Sequence, residues 1–342
     1  MSLLLILLLL PVMVPGSTGF VIDQVIFSKT LGSLQIKEKL GTGRMSIVYK
    51  AQLLDGPQAQ EVFYAVKKSI IGRDEIAREA EVLTALNTTT GFARIYDFDN
   101  GENFIVMELL SNFISLDKFS KPSDIPVPVE VVAVGLIDRL ESVHYAGFVH
   151  VDVHTRNIMV NRETSDVDLL DFSLAVQKNE MKSPKYVNLY FSSVFEQARQ
   201  PLYPIDDIER MVYVLIRCYY GELPWSSIMR MRESLDSKVR DGSDVVQLVY
   251  ALEKRILDHK YGFSMNDEYF NARHVHPGFR RVLHYIKDAI PFRQSETFSI
   301  DYDLLRSYFR DPTSLPVEAT AVAESIVHVL PSILPIEEDH KV

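Results

Sequence analysis

The sequence lacks the residues and runs on which several classes of protein depend. Its single cysteine, Cys218, has no partner within the chain, so an internal disulfide is excluded. The longest uncharged apolar stretch, from Leu3 to Val14, is about a dozen residues, whereas a membrane-spanning helix needs about 20. No internal repeat is present. We therefore expect no disulfide scaffold, no stable membrane span and no repeat architecture.

Positive charge is also in short supply. The 36 Lys and Arg residues are outnumbered by 46 Asp and Glu residues, which gives a formal net charge of -10 at pH 7. Nonspecific binding to nucleic acids or to anionic membranes requires clustered Lys and Arg. The composition therefore argues against nucleic acid as a partner. With 342 residues, the chain is long enough to bury one catalytic domain.

Two acids and an amide are spaced as phosphoryl transfer requires. Asp152 and Asn157 lie in a polar loop between apolar segments, and Asp171 follows an apolar run in the sequence Asp-Phe-Ser. Phosphoryl transfer needs a carboxylate that accepts the proton of the acceptor hydroxyl, and oxygen ligands that hold Mg2+. Each residue alone would be an ordinary loop residue. Their order indicates Asp152 as the base and Asn157 and Asp171 as the Mg2+ ligands.

A nucleotide site is predicted upstream of these residues. Gly41 and Gly43 form a turn between two strand-like runs, and glycine lets the backbone approach phosphates closely. Ser46 stands where the usual pattern has a third glycine. The next strand-like run ends on Lys67. Because lysine is rarely buried without an anion, Lys67 needs an acidic partner.

The following helical segment supplies that partner. Glu79 falls on the same face as Ile76 and Leu83 at helical spacing, and a carboxylate on an apolar face needs a cation. We predict an ion pair between Lys67 and Glu79 that holds the lysine against the α- and β-phosphates. The alternative is that Glu79 is solvated and Glu81 is the partner.

These motifs, in this order, resemble the eukaryotic protein kinases, and the chain is most similar to their casein kinase 1 group. The narrower resemblance rests on the connector Val106–Leu110, the Asp-Asp-x-Glu helix in Ile205–Leu215, the Gly-x-Leu-Pro-Trp turn Gly221–Trp225 and the closing helix Ile300–Arg310. The similarity covers about residues 34 to 311.

The resemblance implies a two-lobed α+β kinase fold. Residues 34–110 would form a small antiparallel lobe of five strands and one main helix, and residues 111–311 a larger, mainly helical lobe. The implied cofactors are ATP and Mg2+, the implied partners are protein substrates, and the protein is expected to be a monomer. The implied activity is that of a protein-serine/threonine kinase.

The resemblance also implies a set of site residues. Asp207 would steady the catalytic loop from below, and the backbone at Glu108 to Leu110 would bind adenine. The catalytic residues would be Asp152, Lys67, Glu79 and His154. The nucleotide-binding residues would be Leu40, Gly41, Thr42, Gly43, Arg44, Met45, Ser46, Val48, Ala65, Lys67, Met107, Glu108, Leu110 and Asn157, and the metal ligands Asn157 and Asp171.

Three positions depart from the kinase pattern near the reacting groups. Val151 replaces the arginine that grips a phosphorylated activation loop, which implies no control through that route. His154 replaces a lysine that neutralises γ-phosphate charge, and imidazole can still donate a hydrogen bond there. Ser173 replaces the glycine after Asp-Phe and limits backbone freedom.

A fourth departure concerns the acceptor. Leu189 stands where the casein kinase 1 group has an arginine that reads acidic or phosphorylated substrates. Lys182 and Lys185 are nearby and are the alternative source of that charge. A preference for primed substrates is therefore not expected from this position.

Two other functions stay open on the sequence. A pseudokinase scaffold fits the altered flanks of the motifs, although all five residues that do the chemistry are present. A small-molecule phosphotransferase, like the aminoglycoside and choline enzymes, fits Asp-x-His-x-x-Asn followed by Asp-Phe. That second alternative does not account for the acidic helix at Asp206–Glu209 or the Pro224–Trp225 turn.

The two ends of the chain differ from its centre. Residues 1–19 have the length of a signal-peptide core with small residues after it, although no basic residue precedes the run. Residues 20–33 are predicted to be an N-terminal extension and residues 312–342 an apolar, proline-punctuated tail. We expect the secretory pathway if the signal is genuine, and cytoplasm or nucleus otherwise.

Overall fold

The computed structural model describes residues 19–56, 61–178, 187–235, 243–295 and 297–310. These residues form two compact units. The β-rich unit contains the described residues up to Phe113 together with Asp168–Ala175. The helical unit contains Ile114–Val167 and the described residues from Val176 onward. The expected mixture of a β-sheet part and a mainly helical part is confirmed.

The β-rich unit is built on one antiparallel sheet with the strand order β1-β2-β3-β4-β6-β5. One helix, α1 (Asp74–Ala85), packs on it. The six strands are β1 (Val25–Ser28), β2 (Gly32–Thr42), β3 (Ser46–Leu53), β4 (Phe63–Ser69), β5 (Ile95–Asp99) and β6 (Phe104–Glu108).

The expectation of five strands is wrong, because the segment predicted to be an extension contributes β1. In β1 the side chains of Ile26 and Ser28 are buried while Val25 and Phe27 are exposed, which is the two-residue period of a strand with one covered face. β1 pairs with β2 in antiparallel register, with Ile26 opposite Leu34.

Asp97 ties the ends of this sheet together. Its Oδ2 accepts hydrogen bonds from the Ser28 hydroxyl at 2.7 Å and from the Lys29 backbone N–H at 2.6 Å. Because Asp97 lies on β5 and Ser28 ends β1, these bonds connect the two edge strands and curl the sheet. The apolar cluster beneath β1 consists of Ile26, Leu34, Ile36, Tyr49, Ala51, Val66, Phe104 and Val106.

The helical unit contains eight α-helices among its described residues. They are α2 (Val129–Tyr145), α3 (Val194–Gln197), α4 (Pro204–Tyr220), α5 (Ser226–Leu235), α6 (Ser243–Tyr261), α7 (Asp267–Ala272), α8 (Pro277–Ala289) and α9 (Tyr302–Arg310). α4 forms the core, since its residues from Ile205 to Ile216 are all buried, and it packs against α2 and α8. Pro204 begins α4, where its missing N–H costs nothing.

Short strands and single turns complete the description. β8 (Phe148–Val149) pairs with β11 (Val176–Gln177), with Val149 opposite Val176. The others are β7 (Phe113–Ser115), β9 (Ile158–Asn161) and β10 (Val167–Leu169), with 3-10 turns at Leu116–Lys118, Pro122–Asp124, Phe263–Met265 and Ile290–Phe292. In the described part of the chain, no helix has both the length and the apolar character needed to cross a membrane.

Candidate active site

Lys67 is the centre of the site in the β-rich unit. It lies in the middle of β4 and its side chain is buried, with Nζ 2.5 Å from Glu79 Oε2 and 2.8 Å from Asp171 Oδ1. The predicted pair with Glu79 is thus present, because the apolar face of α1 turns Glu79 inward beside Ile76. Glu81 instead pairs with Arg78 at 2.8 Å, so the alternative partner is wrong.

Lys67 and Glu79 act strongly on each other and on Asp171 because both of their side chains are almost fully buried. Burial raises the pKa of Glu79 to about 7, against the opposing effect of the Lys67 ammonium. Burial acts to lower the pKa of Lys67, yet Asp171 and Glu79 together hold that pKa above its usual value. Lys67 is therefore a permanent cation within a buried strand.

Asp171 is held in a fixed orientation. Its backbone is left-handed, with φ 63°, and Oδ1 accepts hydrogen bonds from the Ser173 hydroxyl at 2.7 Å and the Ser173 N–H at 3.3 Å, besides Lys67. Burial acts to raise the pKa of Asp171, but Lys67 and Ser173 lower it below its usual value. The carboxylate stays ionised and its side chain is 34% exposed, which suits a metal ligand.

The predicted nucleotide-binding residues of the β-rich unit lie on neighbouring strands. Met107 lies opposite Ala65, and Lys67 lies opposite Val48. Leu40, Gly41 and Thr42 end β2, Gly43, Arg44 and Met45 form the turn, and Ser46 begins β3. The apolar members Val48, Ala65, Met107 and Leu110 share one cluster with Leu170.

Two details refine the predicted nucleotide contacts. A Cβ added at Gly41 would meet no atom within 4 Å, so the backbone there faces open space that a phosphate can enter. The Glu108 N–H already donates to the carbonyl of Arg94 at 2.8 Å. Adenine would therefore have to bind the connector through groups other than the Glu108 N–H.

Asp207 organises the catalytic loop, the loop of the helical unit that contains His150, Asp152 and Asn157, as predicted. Its carboxylate accepts hydrogen bonds from the backbone N–H groups of His150, at 2.6 Å, and Val151, at 2.9 Å. Asp207 Oδ2 also contacts His144 Nε2 at 3.0 Å, and His144 Nδ1 contacts the Tyr302 hydroxyl at 2.6 Å. The fully buried carboxylate is thus tied to α2 and α9.

Val151, in the loop bound by Asp207, has an unfavourable backbone conformation. Its φ is 70°, in a left-handed region that β-branched residues rarely adopt. A residue held there costs on the order of 1 to 3 kcal/mol. The two adjacent N–H groups bound by Asp207 keep the loop in this conformation.

Asp152, His154 and Asn157 are brought together by this loop. Asn157 Nδ2 donates to the Asp152 carbonyl at 2.9 Å, which leaves the amide oxygen to serve as a ligand. His154 Nδ1 accepts from the Arg156 N–H at 3.1 Å, so the proton of the neutral ring lies on Nε2, 3.4 Å from Asp152 Oδ2. Burial acts to raise the pKa of Asp152, but the hydrogen bond from His154 lowers it below its usual value.

Sequence reasoning missed several contributing residues. The contact of His144 with Asp207, the contact of Tyr302 with His144 and the hydroxyl contact of Ser173 with Asp171 were not predicted. Ser173 carried a signal, since a serine two residues after an acid often donates to it. Lys182 and Lys185, the alternative cations for Leu189, lie outside the described residues.

Lys67 is thus a fixed cation between two carboxylates in the β-rich unit, and Asp152 and Asn157 share one loop of the helical unit. Residues 34–196 match the family model for the protein kinase domain. The β-rich unit and the helical unit have the fold predicted for such a domain, a curled antiparallel β-sheet lobe and a helical lobe. The match supports a phosphotransferase that uses ATP and Mg2+ and acts on proteins.

Proposed function

We propose that the protein is a serine/threonine protein kinase of the casein kinase 1 type, which transfers the γ-phosphoryl group of ATP to a Ser or Thr hydroxyl of a protein. The observation that carries the proposal is the buried Lys67 ammonium held between Glu79 and Asp171. Phosphoryl transfer depends mainly on placing charge against the phosphates, and this arrangement fixes such a charge.

The residues of the β-rich unit fit ATP and Mg2+. Lys67 supplies a buried positive charge for the phosphates, and the open space at Gly41 admits them to the backbone. The apolar cluster around Ala65 and Met107 suits a purine ring. By the resemblance to protein kinases, Asp171 and Asn157 are the proposed ligands of Mg2+, which neutralises phosphate charge when bound.

The catalytic loop supplies the acceptor chemistry. Asp152 is ionised at neutral pH, because its pKa is lowered, so it accepts a hydrogen bond from the acceptor hydroxyl and takes its proton. His154 presents Nε2 beside this carboxylate and is the donor that stands in for the usual lysine. Both side chains are mostly buried, which fixes their positions.

A cavity in the helical unit supports a protein acceptor over a small alcohol. It has a volume of about 480 Å³, and its lining includes Leu116, Phe119, Thr155, Tyr190, Arg217 and Met229. Thr155 comes three residues after the proposed base Asp152. An acceptor chain whose hydroxyl reaches Asp152 therefore has a groove beside it for its neighbouring side chains.

The assignment to the casein kinase 1 type rests on α4 and the turn that follows it. Asp207 binds the catalytic loop, and Trp225 of the Gly-x-Leu-Pro-Trp turn is fully buried and donates to the Tyr190 carbonyl at 3.0 Å. Leu189 leaves the usual arginine position without a charge, so we propose weak discrimination between primed and unprimed substrates. Leu189→Arg is then expected to increase that discrimination.

A pseudokinase scaffold is the second candidate. It is favoured by Ser173, whose hydroxyl and N–H occupy the same Asp171 oxygen as Lys67, because that oxygen is then less free to bind metal. Such a protein would bind nucleotide without transferring phosphate.

A phosphotransfer assay with the purified full chain separates these functions. Radiolabelled ATP would be offered with casein, with serine and threonine peptides and with a panel of small alcohols. We expect label in protein, and Asp152→Asn or Lys67→Ala to lower turnover about a hundredfold or more. Wild-type transfer no higher than that of Asp152→Asn would leave the scaffold function, and label only in alcohols would identify a small-molecule enzyme.

The cellular compartment is a separate proposal that rests on residues 1–19 alone. We propose that this segment is a signal that directs the kinase to the secretory pathway. Residues 1–25 fused to a fluorescent reporter are expected to enter that pathway. A cytosolic reporter, together with a native protein that retains Met1, would place the kinase in the cytoplasm or nucleus instead.

A further inference from the structure

The segment Val187–Ser193 is tied to the helical unit through its backbone carbonyls. Trp225 Nε1 donates to the carbonyl of Tyr190 at 3.0 Å. Lys260 Nζ donates to the carbonyls of Leu189 at 2.8 Å and Ser192 at 2.7 Å, and to the Ser192 hydroxyl at 2.9 Å. Three carbonyls of one short stretch are thus bound by two side chains from outside it.

Lys260 is an unusual residue to find at this position. It lies in the last turn of α6 and is only 3% exposed. Its three N–H groups match the three oxygens that it contacts, so its hydrogen bonds are complete. Among the described residues no carboxylate lies within ion-pair distance of its ammonium. The ring faces of Tyr213 and Trp225, 5.7 and 5.6 Å away, provide the remaining stabilisation.

Burying the positive charge of Lys260 is unfavourable in free energy. Burial lowers the pKa of Lys260 to about 7, and the more distant Glu209 and Glu196 oppose that effect while Arg210 adds to it. A neutral amine would have only two N–H groups for three acceptors. An uncharged side chain of similar size would avoid the cost of burial, so the hydrogen bonds to the segment are what distinguish lysine here.

The segment that Lys260 holds forms part of the acceptor side of the site. Tyr190 and Phe191 line the 480 Å³ cavity together with Thr155 of the catalytic loop. The Tyr190 hydroxyl is fixed in turn by Ser226 Oγ at 2.5 Å and by Arg217 Nε at 3.2 Å. A shift of the 187–193 backbone would therefore change the wall of this cavity.

We propose that Lys260 is a positioning residue for the acceptor, because it holds the 187–193 segment in its substrate-binding conformation by binding its carbonyls from inside the protein. This inference rests on the proposed function as a protein kinase. It explains how the segment is ordered when Val151 offers no positive charge for an activating phosphate. The internal ammonium takes over that ordering role.

Three variants of the full chain test the proposal. Lys260→Met keeps the length of the side chain and removes its donors, Ser192→Ala removes one of its three acceptors, and Lys254→Met is the matched control on the exposed face of the same helix. If the ordered segment becomes only a fraction of the population, the apparent affinity for the acceptor falls by that fraction. We expect the KM for a casein-derived peptide to rise about tenfold or more in Lys260→Met, the strength of a charge-assisted hydrogen bond.

The other kinetic constants distinguish positioning from a general structural effect. The KM for ATP and kcat are expected to stay at wild-type values in Lys260→Met, with a smaller rise in acceptor KM for Ser192→Ala and none for Lys254→Met. An unchanged acceptor KM in Lys260→Met, or equal losses in both KM values and kcat, would overturn the proposal. If Lys260→Met does not fold, an acceptor KM for Ser192→Ala equal to that of the wild type would do the same.

Trp225 gives a readout that needs no substrate. It is the only tryptophan in the chain, is fully buried and lies in contact with both Lys260 and the segment. Its fluorescence is expected to become more accessible to acrylamide in Lys260→Met and to stay unchanged in Lys254→Met. Absence of phosphoryl transfer by the wild-type protein would refute the proposed function, whereas equal quenching in all variants would refute the positioning role.

Discussion

Glu79 is the residue whose protonation most directly affects the nucleotide site. Its folded-state pKa of about 7 lies above its usual value of 4.5, so it gains a proton as the pH falls below neutral and Lys67 then loses one of its two partners. We expect the affinity for a fluorescent ATP analogue to fall roughly tenfold between pH 8 and pH 6.

Glu79→Gln is the matched control, since titration of the nucleotide phosphates is common to both proteins. Its affinity is expected to show a weaker dependence on pH than that of the wild type. Because the folded pKa of Glu79 is raised, its protonation increases the stability of the fold as the pH falls from about 7 to about 4.5, and this gain is lost again as the pH rises through 7. A weaker affinity at pH 6 accompanied by a lower melting temperature would point to a different titrating group.

Cys218 offers a second test at the residue scale. Burial raises the pKa of its thiol to about 12, so only about one molecule in ten thousand carries a thiolate at pH 8. We expect iodoacetamide to modify the native protein about a thousandfold more slowly than the protein unfolded in guanidinium chloride. Mass spectrometry measures this directly because the chain has one cysteine. Native and unfolded rates within tenfold of each other would contradict the raised pKa of this thiol.

At the scale of elements, β1 is part of the sheet, and Asp97 is what holds its end. Asp97→Ala removes the acceptor for the Ser28 hydroxyl and the Lys29 N–H. Hydrogen bonds to a charged group are worth about 1.5 to 3 kcal/mol, so we expect a loss in that range in the free energy of unfolding measured with urea. Asp97→Asn keeps an oxygen acceptor and is expected to lose less. A cost below about 0.5 kcal/mol for Asp97→Ala would show that these two hydrogen bonds do not hold the end of β1.

The elements also show which features the sequence was able to predict. The Lys67 and Glu79 pair followed from local patterns, an apolar strand ending on a cation and a helix with one acid on its apolar face. The anchoring of β1 by Asp97 did not, because Asp97 lies 69 residues from Ser28 and no local pattern links them. Lys260 was missed for the same reason, since its acceptors lie 68 to 71 residues before it in the chain.

For the whole molecule, the kinase domain followed from motif order, whereas the strain at Val151 did not follow from any motif. A left-handed valine is visible only in the backbone, and its N–H is bound by Asp207, 56 residues later. The ordering of the acceptor side likewise depends on residues that lie far apart in the chain. The residues that order the acceptor side come from α4, α6 and the turn after α4. The residue immediately before Asp152 is Val151 and not an arginine.

This internal ordering predicts that the kinase does not depend on phosphorylation of its activation segment. Ser192 and Ser193 are fully buried; the Ser192 hydroxyl accepts from Lys260 at 2.9 Å, and the Ser193 hydroxyl donates to Asp206 at 2.7 Å. A phosphate on either hydroxyl would have no space in this buried environment. We therefore expect phosphatase treatment of the purified full chain to leave its rate of peptide phosphorylation unchanged, with an activation-loop-dependent kinase as the positive control. A large fall in rate, mapped by mass spectrometry to Ser192 or Ser193, would mean that the segment opens in solution and that the hydrogen bonds of Lys260 do not hold it.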